Sequence, residues 1–108
     1  MPYSPVTAHF DVDAAGNSAV AEKSAAIATG AATTTVKNAP GRVVNALVTT
    51  AGTGGDNATV TDGPSGTVLA VILGSAAVGT QVTIGMPAAV GITVVNVGSG
   101  PAFTLGYS

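Results

Sequence analysis

Few side chains in this sequence could take part in catalysis, and the only histidine, His9, is the first to consider. A histidine that acts as a general base needs a positioned nucleophile and an acidic group that orients its ring. His9 lies in a segment for which no rigid geometry is predicted, and the chain has no cysteine that could serve as a nucleophile. We interpret His9 as an exposed or packing residue and predict that the protein is not an enzyme.

The carboxylates Asp11 and Asp13, followed by Asn17, have a spacing similar to the start of a calcium-binding loop. Such a loop places ligands at alternate positions through a 12-residue turn and ends in a bidentate glutamate. Glu22 occupies the twelfth place, but Ala15 stands at the fifth and two middle ligands are absent. We interpret the segment as a solvated turn and predict no metal and no cofactor.

The glycine-rich run from Gly52 to Gly55 has the composition of a phosphate-binding loop. A dinucleotide-binding loop follows a strand and opens a helix, and a P-loop continues into a lysine. Here the next residues, 57–61, have a strand-like pattern, and no such lysine follows. The run is therefore predicted to be a hairpin loop.

The remaining polar residues of the body favour structural roles. Asp56 and Asp62 are expected to form turns, and they flank a predicted hairpin instead of facing one cleft as a glycosidase carboxylate pair would. The run from Asn57 to Thr59 spells a glycosylation sequon, which we attribute to chance because no signal peptide is visible. Arg42, at the start of the most apolar strand, is expected to pair with a carboxylate or with backbone carbonyls, either within the subunit or at an interface between subunits.

The charge content is low: 8 of 108 residues are charged, and the net charge is −2. A typical domain carries about 25% charged residues. Three positive side chains exclude a basic nucleic-acid footprint, and no apolar run approaches the roughly 18 residues of a membrane span. We expect a protein made in a cytoplasm, with neither nucleic acid nor membrane among its partners.

From residue 33 onward the pattern is that of short β-strands separated by Gly, Pro, Asn and Asp. Such strands at regular spacing predict a β-sandwich or barrel. Val82, Ile84, Val94, Leu69, Val71 and Phe103 are predicted to face the core, and Met86 shares the face of Val82 and Ile84. The seven predicted strands cover residues 33–37, 42–50, 57–61, 67–73, 81–86, 92–97 and 102–107.

The N-terminal residues differ in composition from this β-rich body. Residues 1–18 contain two prolines and two of the four aromatic residues, and are predicted to form an extended arm that contacts a neighbouring subunit or a capsid through Tyr3, Val6 and Phe10. The alternative, that the arm packs on its own sandwich, remains open. Residues 19–31 are alanine-rich and fit either a short helix or a strand. The predicted organisation is an arm, 1–18, and a β-sandwich domain, 19–108.

Sixteen valines dominate the predicted core, whereas Ala, Gly and Thr make up 50 of 108 residues. A small core and a neutral, hydroxyl-rich surface are more typical of an assembled subunit than of a free monomer. We predict a homo-oligomer, with a trimer favoured.

Several segments between residues 33 and 108 carry a family resemblance. They are Gly41 to Gly54, Val60 to Asp62, Ser65 to Leu69, Pro87, Gly91 to Val95 and Phe103 to Ser108. Together they resemble small structural proteins of tailed bacteriophages, of the capsid decoration or cement type. The resemblance implies a β-sandwich or jelly-roll body, binding to the major capsid protein on the outside of the shell, an oligomer and no catalysis.

The sequence thus predicts an all-β protein, a small jelly-roll-like β-sandwich with an extended N-terminal arm. Its expected function is that of a structural virion protein on the capsid exterior, cementing adjacent capsid subunits through repeated weak contacts. Three other functions remain open: a receptor- or glycan-binding module of a phage fibre, a tail or connector component, and a hydrolase.

Overall fold

The computed structural model describes residues 21–30 and 33–108, and every regular element in those ranges is a β-strand. The predicted arm, 1–18, lies outside the described residues. The strands are β1 Lys23–Ile27, β2 Thr33–Lys37, β3 Gly41–Thr50, β4 Ala58–Asp62, β5 Val68–Ile72, β6 Gln81–Ala88, β7 Ile92–Asn96 and β8 Ala102–Tyr107.

The strands form two four-stranded antiparallel sheets. The first sheet has the order β1-β8-β3-β6, and the second has the order β2-β7-β4-β5. Only β4 and β5 are joined as a hairpin within one sheet, and every other connection in the described chain passes from one sheet to the other. This is the strand order of an eight-stranded jelly roll, so the predicted all-β sandwich is confirmed.

All seven strands predicted from residue 33 onward are present, because β-branched runs bounded by turn residues fix their positions. The alanine-rich segment supplies an eighth strand, β1, instead of a helix. It pairs with β8 over its whole length, and Ile27 lies opposite Phe103. The tertiary partner overrides the helix propensity of alanine here.

The core lies between the sheets and consists mainly of small aliphatic side chains. Phe103 is its largest member and is 1% exposed. In the first sheet Phe103 pairs with Ile27 on one side and Val48 on the other. Val94 is buried as predicted, and Val82, Ile84 and Leu69 pack against the core from its margin.

An irregularity in β3 changes which of its side chains face inward. Pairing with β8 advances from Val43 to Asn45 on β3 while β8 advances by one residue, so Val44 is inserted. Such a bulge reverses the alternation beyond it. Val43 and Ala46 are consequently both in the core, and Leu47 is 40% exposed on the outside of the sheet.

Two residues that were predicted to face inward are not buried. The prediction for Val71 is wrong: in β5 the pairing with β4 skips Leu69, so Ala70 and Ile72 share the inner face and Val71 points outward, 47% exposed. In β6 Met86 lies opposite the core residue Val43 but is 41% exposed, because β6 is an edge strand that pairs only with β3.

The loop from Gly52 to Gly55 is not a hairpin loop, contrary to the prediction. It leaves β3 in the first sheet and enters β4 in the second. The true hairpin follows β4, where Gly63 and Ser65 have φ values of 75° and 58°. These left-handed conformations make the tight turn that returns the chain into β5.

Candidate interaction surface

The arm residues expected to make contacts, Tyr3, Val6 and Phe10, lie outside the described residues. The same is true of His9 and of the acidic pair, Asp11 and Asp13. Their predicted roles stay predictions, and the surface described below is built from the sandwich alone.

Asp62, at the end of β4, ties two loops together. Its carboxylate accepts hydrogen bonds from the backbone N–H groups of Val90 at 2.8 Å, Ala89 at 3.0 Å and Gly91 at 3.3 Å. These donors, led by Val90, hold the pKa of the Asp62 carboxyl below its usual value because they stabilise the charged form. Asp62 therefore fastens the turn between β6 and β7 to the second sheet, instead of only shaping its own turn.

The lowered pKa gives Asp62 a defined effect on stability. A carboxyl whose pKa is depressed on folding stabilises the fold above its unfolded-state pKa, near 4, and loses that contribution as pH falls through the folded-state pKa. We expect Asp62→Asn to melt at a lower temperature at pH 7 and to lose less further stability below about pH 4 than the parent protein. Melting curves at pH 7 and pH 3 test this, and an acid-induced decrease as steep in the variant as in the parent would contradict it.

At the opposite end of the sandwich, polar side chains join the loops in the same way. Asp56 accepts from the backbone N–H of Ser99, and Asn57 Oδ1 accepts from that of Gly74, both at 3.0 Å. The buried Asn96 amide donates to the carbonyl of Pro101 at 3.0 Å. The predicted turn and sequon residues are therefore occupied in holding loops.

This arrangement separates the carboxylates of the body. Asp62 ends the strand β4 and Asp56 lies two residues before the strand begins, and the strand alone spans about 13 Å at 3.3 Å per residue. A glycosidase pair lies about 5–9.5 Å apart. Among the described residues no three His, Cys, Asp or Glu side chains form a group that could hold a metal ion.

Arg42 makes the backbone contact expected of it. Its Nη1 donates to the carbonyl of Gly85 at 2.8 Å. Gly85 has a φ of 65°, at the irregular part of the edge strand β6. The guanidinium thus supports the strand where its geometry departs from the regular ladder.

The outer face of the first sheet, which we call the first face, has an uncharged centre, with Glu22 and Lys23 at its β1 margin. The pairing register places the central side chains in two rows that each cross all four strands. An uncharged centre is one feature of surfaces that another protein covers, since charged residues are depleted at interface centres. The rows are Ser24, Gly106, Asn45 and Thr83, and Ala26, Thr104, Leu47 and Gln81.

Two shallow depressions meet near the centre of the first face. They have volumes of about 390 and 280 Å³, and both are lined by Asn45 and Leu47. Gly106 forms part of the floor, because a Cβ there would lie 2.1 Å from Asn45 Oδ1. Glu22 and Lys23 also line the larger depression, so the face offers a concave surface with a charged β1 margin and an uncharged centre that holds one exposed leucine.

The outer face of the second sheet, the second face, also has an uncharged centre but is more closed. Its central threonines, Thr93 and Thr61, are 1% and 6% exposed. Thr61 donates its hydroxyl to the carbonyl of Gly63 at 2.8 Å. Apolar exposure is instead concentrated at one margin, where Val68 and Val71 are about half exposed. Its rows are Thr33, Val95, Thr59 and Val71, and Thr35, Thr93, Thr61 and Val68.

The charged side chains of the described chain stand at strand ends and in loops. Lys23 and Arg42 lie near the starts of their strands, and Lys37 and Asp62 end theirs. Alternating threonine and aliphatic residues in the strands were a signal for neutral faces. Composition alone did not show that the central rows of both faces are free of charge, because that requires the register.

The described chain is thus a jelly-roll protein whose polar side chains fasten loops and whose sheet faces have uncharged central rows. Comparison with family models, curated proteins and solved structures gave no match. In the described ranges no helix is long and apolar enough to cross a membrane.

Proposed function

We propose that the protein is a non-catalytic structural component of a virion, which binds the outer surface of a phage capsid and cements adjacent major capsid protein subunits as a homo-oligomer, with a trimer favoured. The observation that carries the proposal is the centre of the first face, where two rows of side chains are uncharged across all four strands. A free protein gains solubility from a charged surface, whereas a surface that is covered after assembly does not need one.

The first face suits docking better than the second. Asn45 and Leu47 are exposed beside a depression, so they are available to a partner. The central threonines of the second face are almost fully buried already. Each contact on the first face is small. An oligomer that binds a repeating shell through several such contacts would gain avidity through multivalency.

The jelly roll supports the proposal at the level of architecture, since this fold occurs in viral capsid proteins and in lectins. Fold alone does not define function. A glycan site commonly uses exposed aromatic side chains, and the two aromatic residues of the described chain are the buried Phe103 and the half-buried Tyr107. The shell-binding function is therefore favoured over glycan binding.

A charge placed at the centre of the first face tests the proposal. Leu47→Lys puts an ammonium group into the docking surface, which costs several kcal/mol where such a charge is desolvated. We expect the parent protein to co-sediment with purified empty capsids of its virus and Leu47→Lys to bind at least about 30-fold more weakly, equivalent to ~2 kcal/mol. Leu47 is 40% exposed, so the fold should tolerate the change.

Thr33→Lys is the matched control, because Thr33 is exposed on the second face. It adds the same charge and should bind shells as the parent does. Co-sedimentation of all three proteins to the same extent would exclude the first face as the docking surface. No co-sedimentation of the parent protein would exclude the proposed function.

A further inference from the structure

A two-sheet sandwich has four edge strands, and three of them here carry features that oppose pairing with another chain. β1 begins with Lys23, next to Glu22, and β2 ends with Lys37. β6 contains Gly85, with a φ of 65°, and Pro87, which has no N–H. Charges, bulges and proline are the means by which natural proteins protect sheet edges.

β5 is the exception among these edges. Its sequence, VLAVI, contains no charge, glycine or proline, and it pairs with β4 alone. Its irregularity falls at Leu69, near its start, so Ala70 to Ile72 form a regular ladder. Val68, Val71 and the following Leu73 are 52%, 47% and 54% exposed. An uncharged edge with exposed apolar side chains is a template for an added strand.

A strand-like sequence pattern that matches this edge lies before β1. Residues 6–13 alternate strictly, with Val6, Ala8, Phe10 and Val12 on one side and Thr7, His9, Asp11 and Asp13 on the other. Strict alternation over eight residues is the pattern of a half-buried strand. Phe10 is the large side chain on the apolar side of this segment. It would give the exposed valines of β5 a large cross-strand partner, which they do not have in the described chain.

We propose that residues 6–13 of one copy of this chain add as a strand to the β5 edge of a neighbouring copy, with their apolar side on that of Val71. The inference rests on the proposed function for the existence of an oligomer and not for binding to the shell. Exchange of a segment from each copy to the next is a head-to-tail contact, which closes into a ring when the rotation allows it. A trimer is one such ring.

The linker before β1 reaches either the copy's own β5 edge or that of a neighbour. β5 lies beside β6, and β6 is at the far edge of the first sheet from β1. Sheets are about 10 Å apart and four strands about 14 Å wide, so the two edges are about 17 Å apart on the diagonal, whereas residues 14–20 span at most about 25 Å. We assign the neighbour's edge because the proposed oligomer needs a contact between copies, and the covalent dimers and trimers of the test below form only if the arm crosses to another copy.

Cysteine cross-linking tests the contact directly, since the chain has no cysteine of its own. Val71→Cys is combined in turn with Val6→Cys, Ala8→Cys, Phe10→Cys and Val12→Cys, and each protein is oxidised without shells present. We expect at least one pair to give covalent dimers and trimers on a non-reducing gel, because facing residues of adjacent strands lie close enough for a disulfide. The same arm variants combined with Thr35→Cys, on the β2 edge, should not cross-link. Monomer bands alone for every Val71 pair would overturn the inference.

An edge charge provides the second test. Val71→Lys is expected to shift the protein to its 10.2 kDa monomer in light scattering at micromolar concentration, whereas Thr35→Lys should leave the oligomer intact. Circular dichroism verifies that both variants are folded. An unchanged oligomer in folded Val71→Lys would overturn the inference. Cross-linking without shell binding would leave this contact standing and exclude the proposed function, so the two failures are distinguishable.

Discussion

Phe103→Ala is expected to destabilise the fold by about 3–5 kcal/mol, the usual range for truncation of a fully buried aromatic. Phe103 is 1% exposed and is the largest side chain in the core. Its neighbours across the first sheet are Ile27 and Val48, which are too short to fill the space that a missing ring would leave. Urea titration of parent and variant at equal concentration measures the loss.

Val97→Ala is the matched control for this truncation. Val97 is an apolar residue in the β7–β8 loop and is 55% exposed, so the change should stay within about 0.5 kcal/mol. Phe103→Leu retains most of the volume and should remain folded if the alanine variant does not, with an intermediate loss of stability. A loss below about 1 kcal/mol for Phe103→Ala would contradict the assigned register of β8.

The strand positions could be predicted from the sequence because two local signals agree. β-branched residues favour pleated backbone, and Gly, Pro, Asn and Asp interrupt it where the chain turns. Local signals do not give the partner of each strand. The loop at Gly52 was therefore interpreted as a hairpin loop, whereas β3 and β4 belong to different sheets.

The direction of individual side chains was harder to predict. A single inserted residue reverses the direction of every side chain beyond it. Val44 in β3 and Leu69 in β5 are such residues, and each is an aliphatic residue among others, so the sequence does not mark it. Leu47 and Val71 consequently lie on the outside. Leu47 belongs to the proposed docking face and Val71 to the proposed oligomer contact. Both surfaces could therefore be identified only from the register of the structure.

The fastening of the loops was likewise beyond sequence reasoning. Asp62 was expected to shape its own turn, but its partners are 27 to 29 positions away along the chain. Turn composition indicates that a carboxylate is near backbone N–H groups without indicating which ones. The hydrogen bonds explain why Asp56 and Asp62 hold loops and do not face one cleft.

Deleting residues 2–10 is expected to abolish the oligomer and shell binding while leaving the sandwich folded. The deletion removes Tyr3, Val6 and Phe10, the predicted contact residues of the arm. Aromatic anchors carry a large part of the binding energy at interfaces, so their loss should separate the subunits. Light scattering, co-sedimentation with empty capsids and thermal melting together measure the outcome.

The alternative, in which the arm packs on its own sandwich, predicts a different melting curve. Loss of an internal contact lowers the melting temperature by about 4–8 °C per kcal/mol at any protein concentration. Loss of an oligomer lowers it by an amount that grows with concentration, because assembly stabilises by mass action. Melting parent and truncated proteins at two concentrations therefore separates the two arrangements.

Substitutions that keep the length of the arm refine this test. Val6→Ser with Phe10→Ser removes the apolar anchors, whereas Thr7→Ser with His9→Ser changes the other side of the same segment. If the arm docks outward through its apolar side, the first pair should reproduce the deletion and the second should behave as the parent. Equal behaviour of both pairs would show that the identity of the anchors is immaterial. An unchanged oligomer and unchanged shell binding in the deletion itself would remove the arm from assembly altogether.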